Sequence, residues 1–160
     1  IEVIKVLDEK EAKEMIKNIH SKVITILDDD YPDSLKTCTK PPFALFYHGD
    51  IKLLDCKMKA VSVVGARVHS FYGERATREI VTDLAKEVTI VSGMAKGIDS
   101  IAHWAAINAG GKTIAVLGSG INYIYPTDNK DLYQEIKKNH LVVSEYPDKT
   151  PPTMKSFPAT

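Results

Sequence analysis

The chain has 160 residues, 44% of them hydrophobic and 26% charged, which is ordinary globular usage and excludes a disordered, collagen-like or coiled-coil chain. At this length one core can bury roughly two-thirds of the unfolded surface, so neither a disulfide nor a structural metal is required. Twenty-one basic and twenty-one acidic side chains cancel, which argues against a nucleic-acid binder held by bulk charge but leaves room for a local basic patch.

In chain order, Asp8 to Ile19 places Ala12, Met15, Ile16 and Ile19 at helical spacing and predicts an amphipathic helix. Val23–Leu27 predicts a short strand, followed by the acidic turn Asp28–Asp30 and Tyr31-Pro32. Pro41-Pro42 stiffens an extended entry into Ala44–Tyr47, and Gly49-Asp50 marks a turn. No apolar run nears the ~20 residues of a membrane helix, and no basic-then-apolar leader opens the chain. Cys38 and Cys56 stand alone without metal-type spacing, so reduced thiols and a cytoplasmic location are expected.

From Ala60 the pattern changes. Ala60–Val64 predicts a buried strand ending at Gly65, followed by a helix from Tyr72 to Lys86 with Ala76, Ile80 and Leu84 on its core side. Thr89–Val91 is a second strand, and Ile98–Ala109 a second helix with a small-residue face of Ala102, Ala105, Ala106 and Ala109, ended by Gly110-Gly111. Strand Thr113–Leu117, helix Leu132–Lys138 and strand Leu141–Ser144 follow, and Tyr146–Thr160 reads as a proline-rich loop or edge. Strands alternating with helices at this spacing imply an α/β fold, a doubly wound parallel sheet with right-handed crossovers.

Ligands of such sheets bind beyond the carboxyl ends of the strands. Here the first strand runs into Gly65-Ala66-Arg67-Val68-His69-Ser70, the second into Ser92-Gly93-Met94-Ala95-Lys96-Gly97 and the third into Gly118-Ser119-Gly120. Glycine allows close backbone approach, and each following helix offers unpaired N–H groups and the positive end of its dipole. Arg67 and Lys96 add full charge. Gly65, Arg67, Ser70, Ser92, Gly93, Lys96 and Gly97 are therefore candidate phosphate-binding residues; the plainer reading is that any strand-to-helix loop needs glycines and caps.

Several other chemistries fail on spacing. Gly65-Ala66-Arg67 lacks the second glycine of a dinucleotide turn. Gly111-Lys112-Thr113 resembles the end of a P-loop, but Ala106 stands where the first glycine belongs and the segment leaves a helix for a strand. Lys112 thus reads as a surface lysine at the amino end of its strand. Asp99 and His103, four apart, read as a helix-start cap and a packed or paired neighbour. There is no HExxH, no GxSxG and no histidine pair for a metal, so no cofactor is expected. Tyr123 and Tyr125 could stack bases, but loop packing is the reading their context favours.

The segments VGARVHSFYG (64–73), SGMAKGIDSIAH (92–103), GGKTIAVLGSGINYIYP (110–126) and SEYP (144–147), preceded by YPDSLKTCTKPPFALFYHGD (31–50), resemble the DNA-processing protein A (DprA/Smf) family in order and spacing. The resemblance implies an extended Rossmann-like domain that binds single-stranded DNA, and duplex less well, without being an enzyme. It implies a role in natural transformation, with the RecA recombinase and a second copy of the protein as partners. Carried across, the family's phosphate-contacting arginine falls on Arg67, its basic residue after the double glycine on Lys112, and its lysine near the chain end on about Lys155. By the same comparison residues 1–22 are the remnant of a helical domain or a linker, 23–58 a β-rich entry segment and 59–160 an incomplete DNA-binding domain. Dimerisation is doubtful for such a fragment. The rival reading, a nucleotide-phosphate-binding enzyme of the nucleoside monophosphate hydrolase type, lacks its glycine-rich PGGxGT loop here.

Overall fold

The structure, a computed structural model, describes residues 19–55 and 59–152. Apart from Ile19, the helix expected over Asp8–Ile19 lies outside these residues, as do Cys56 and Lys155.

Six strands form one sheet: β1 (Lys22–Thr25), β2 (Ala44–Gly49), β3 (Ala60–Ser62), β4 (Thr89–Ser92), β5 (Thr113–Leu117) and β6 (Leu141–Ser144), in the order β1-β2-β6-β5-β4-β3. β3 to β6 are parallel, with Val61 opposite Ile90, Val91 opposite Ile114 and Ala115 opposite Val142. The helices α2 (Phe71–Leu84), α3 (Ile98–Asn108) and α4 (Lys130–Asn139) make the crossovers; a single-turn α1 (Asp33–Lys36) lies between β1 and β2. β2 runs antiparallel to β6, with Phe46 opposite Ser144, and β1 antiparallel to β2, so the entry segment extends the sheet.

Alternation along the parallel strands sorts side chains between the two faces. Ile90, Ala115, Leu117 and Val142 pack under the crossover helices, against Ala102, Ala105 and Ala106 of α3 and Leu132 and Ile136 of α4. Val91, Ile114, Leu141 and Val143 face the other way, where the 3-10 turn Ile51–Leu54 inserts Leu53. Because β3 to β6 advance across the sheet in one direction, right-handed crossovers bring α2, α3 and α4 to one face. The small-residue stripe of α3 lies against the sheet as its sequence implies, and Gly110 closes the helix at φ +76°.

Two expectations are overturned. The strand expected to be buried over Ala60–Val64 is instead exposed at Ala60, Val61 and Ser62, because β3 is the edge of the described sheet. The core side of α2 is also displaced. α2 turns Val81 (1% exposed) and Ala85 inward, while Ile80 is 58% exposed. The helix rides over the outermost strand, and only the stripe leaning toward α3 finds a surface to cover. No described helix is long and apolar enough to cross a membrane.

Candidate functional site

In a parallel sheet every strand-to-helix loop emerges at the same end. The loop after β3 carries Gly65, Arg67 and Ser70; the loop after β4 carries Gly93, Lys96 and Gly97; and the loop after β5 runs from Gly118 to Asn129. The first two interlock. The Ile98 amide donates to the Ala66 carbonyl at 3.2 Å. Gly97, at φ +82°, lies beneath the carbonyl oxygens of Ala66 and Arg67, and a Cβ on Gly65 would stand 2.8 Å from the Ile98 side chain. Each glycine makes room for the other loop, so Arg67 and Lys96 are carried on one rigid piece of backbone.

The second loop is also fixed from beneath and from the side. Asp99 in the first turn of α3 is buried, and its carboxylate accepts the amides of Gly93 at 3.2 Å and Ala95 at 3.3 Å. Met94 is buried with φ +63°, an unfavourable backbone conformation for a residue with a Cβ, and the Asn129 side-chain amide holds it by donating to the Met94 carbonyl at 2.8 Å and the Ala95 carbonyl at 3.3 Å. Lys96 Nζ pairs with Asp128 Oδ2 at 2.6 Å. Asp99 thus anchors the loop that leads into its own helix. His103 does not meet Asp99: its Nδ1 lies 2.7 Å from Thr113 Oγ1, in the core.

This geometry divides the expected phosphate-binding residues by what their donors do. Ser92 is buried and its hydroxyl donates to the Val63 carbonyl at 2.6 Å, while the Gly93 amide is committed to Asp99, so both shape the loop from inside. Ser70 is the N-cap of α2, its Oγ accepting the Gly73 amide at 3.1 Å, and its exposed hydroxyl retains a proton to donate. Arg67 and Lys96 are exposed at the rim. Beside them stand exposed aromatics: Phe71 and Tyr72 at the start of α2, and Tyr123 and Tyr125 in the loop after β5.

Lys112 lies at the other end of the sheet. It immediately precedes β5, whose five residues put roughly 16 Å between it and the carboxyl-end rim. Its Nζ donates to the carbonyl of Asn139, the last residue of α4, at 3.3 Å. A cation there balances the negative end of a helix dipole. Lys112 lines, with Lys59, Lys86, Glu87 and Gly111, a cleft of about 460 Å³ at the amino ends of the strands. The helices turn their carbonyl ends toward this side, opposite in polarity to the carboxyl-end rim.

A polar network ties the rim to the entry strands. The buried Asp148 carboxylate accepts from the His20 amide at 2.6 Å, from the Ser21 hydroxyl and from Asn122 Nδ2 at 2.8 Å, and Asn122 Oδ1 meets His48 Nε2 at 2.9 Å. Burial alone pushes the Asp148 carboxyl up, but the hydrogen bonds from Ser21, His20 and Asn122 outweigh it and hold the group below the usual carboxylate range. The sequence does not single out Asp128, Asn129 or Asp148, because none belongs to a spaced motif. Among the described residues no group of three or more His, Cys, Asp or Glu could hold a metal ion.

Comparison with known proteins agrees with this architecture. Residues 22–160 match the family model of DNA recombination-mediator protein A. The chain is 46% identical over 135 residues to the DNA processing protein DprA of Streptococcus pneumoniae, covering 84% of this chain and 47% of that protein, and 43% identical over 130 residues to the protein Smf of Escherichia coli, covering 80% and 34%. It therefore spans about half the length of the first of these relatives. The crystal structure of the Streptococcus pneumoniae protein superposes with a TM-score of 0.84 at 42% identity, over 96% of this chain and 52% of that one. DNA processing protein A from Helicobacter pylori, in a structure that addresses its single-stranded DNA binding mode, superposes with a TM-score of 0.73 at 34% identity, over 86% and 62%. The sheet described here is thus the Rossmann-like fold of those proteins, and the chain belongs to the DNA recombination-mediator protein A family.

Proposed function

We propose that this chain binds single-stranded DNA, without regard to base sequence, through the rim at the carboxyl ends of β3 and β4. Arg67 and Lys96 would neutralise neighbouring phosphates, with the Ser70 hydroxyl donating a hydrogen bond beside them. The observation that carries the reading is the interlock of the two loops, which holds two cationic side chains on one rigid frame at the end of the sheet where such folds bind ligands. Contacts of this kind grip the backbone and carry no sequence information. Membership of the family and the likeness to a protein whose structure concerns single-stranded DNA binding support it.

In the whole protein this grip would serve DNA processing in the cytoplasm during natural transformation, binding duplex less well and passing the strand to the RecA recombinase, without catalysis. The homodimer of the full-length family would need residues beyond these. Lys112, facing the opposite end, takes no part in the rim, and Lys155 is a candidate extension of it.

Fluorescence anisotropy of a labelled oligonucleotide at several salt concentrations tests the reading. Two neutralised phosphates give a slope of log affinity against log salt of about −1.4. A flat response overturns the proposal, and release of free base from a nucleoside monophosphate would favour the hydrolase in its place.

A further inference from the structure

Resting on that reading, we propose that Asp128 is a resident counter-anion that occupies Lys96 until a DNA strand displaces it, making it an affinity-setting residue of the site. Its carboxylate oxygen stands 2.6 Å from Lys96 Nζ, the place a phosphate oxygen would take, and the two side chains are 66% and 56% exposed. Their hydrogen bond, with the attraction between the charges, raises the pKa of the Lys96 ammonium.

The pair is not what holds the loop. Asn129 fixes the Met94 and Ala95 carbonyls, and Asp99 fixes the Gly93 and Ala95 amides, so the loop is restrained whether or not Lys96 keeps its partner. An exposed pair over a rigid base is weak and exchangeable. A dilute free phosphate gains little by replacing one carboxylate with another oxyanion. A strand whose first phosphate rests on Arg67 delivers its neighbour at high effective concentration, because the two loops are joined through Gly97 and the Ile98 amide. That advantage belongs to the polymer with or without Asp128; what Asp128 sets is how strongly an arriving strand must compete for Lys96.

The test compares Asp128→Asn, Lys96→Gln and the double variant by oligonucleotide anisotropy at low salt, with Asp131→Asn as a control. Asp131 is an exposed carboxylate in the first turn of α4, and its loss changes net charge equally. Asp128→Asn should strengthen binding roughly twofold to fivefold. That gain should vanish in the Lys96→Gln background. No gain, an equal gain from Asp131→Asn, or a gain that persists without Lys96 overturns the proposal, and salt-dependent binding by the native chain would then leave the phosphate-gripping reading standing. If the native chain binds no oligonucleotide, both fall together.

Discussion

The backbone of Arg67 crosses over Gly97 so closely that a Cβ at residue 97 would overlap the carbonyl oxygens of Ala66 and Arg67. Gly97 is also at φ +82° and ψ −128°, a region reserved almost entirely to glycine, where a side-chain-bearing residue is strained by about 1–3 kcal/mol. Gly97→Ala should therefore combine backbone strain with a displaced Arg67 loop. The expected loss of stability is about 1–3 kcal/mol by urea unfolding, accompanied by weaker oligonucleotide binding. A variant that keeps both native stability and native affinity would show that the two loops need not be locked.

Arg67 puts a full charge at the rim, so reversing it should both remove a phosphate contact and repel the strand. Arg67→Glu is expected to weaken single-strand binding by roughly tenfold or more at low salt and to flatten the salt slope. Its exposed position predicts little change in the melting midpoint. Unchanged affinity in a folded Arg67→Glu chain would remove this residue from the site.

His103 is buried between α3 and β5, with Nδ1 bonded to Thr113 Oγ1 and Nε2 without a hydrogen-bond partner among the described residues. Burial, reinforced by the nearby His140, drives its pKa down to about 3. The folded chain resists a proton that the unfolded chain accepts near 6.5, so this contribution to stability is complete above pH 6.5 and is lost progressively as the pH falls toward 3. Between pH 6.5 and 5 the loss is about 2 kcal/mol. His140, lowered chiefly by burial and then by Lys112, acts in the same direction. Urea midpoints should fall on acidification over this range, and His103→Gln should flatten the profile. A profile that stays as steep without His103 would place the acid sensitivity elsewhere.

The fold was legible because its signals are local. Thr113–Leu117 and Leu141–Ser144 are strands at the predicted bounds, and Ile98 begins α3 as expected. α2 is legible as a helix but not in its orientation, since Ala76, Ile80 and Leu84 have helical spacing and only the neighbouring elements decide which stripe is covered. For the site, the loops and their cations could be read from strand ends, whereas the tasks of individual donors could not. Nothing in the spacing of Ser92 announces that its hydroxyl turns inward to Val63, or that Asp99 takes the Gly93 amide. Lys112 is the opposite case, since the sequence alone already reads it as a surface lysine at the amino end of its strand. Motif likeness brought it forward, while its position before a parallel strand puts it at the opposite end of the sheet, against the carbonyl end of α4.

Asn129 offers the sharpest separation between holding the site and filling it. Its amide nitrogen donates to two carbonyls, those of Met94 and Ala95, and so stabilises a left-handed turn that Met94 would not otherwise favour. Asn129→Ala removes those donors and leaves the carbonyls to water, with an expected loss of about 1–3 kcal/mol. Asn129→Asp should be worse, because a carboxylate facing two carbonyl oxygens substitutes repulsion for attraction and adds a negative charge beside Lys96. In oligonucleotide binding the order should be native, then Asn129→Ala, then Asn129→Asp, and the stability order from urea unfolding should match it. If Asn129→Asp binds and folds as well as Asn129→Ala, charge and hydrogen-bond polarity at this position are irrelevant and the loop is held by Asp99 and the buried Met94 side chain without help from residue 129.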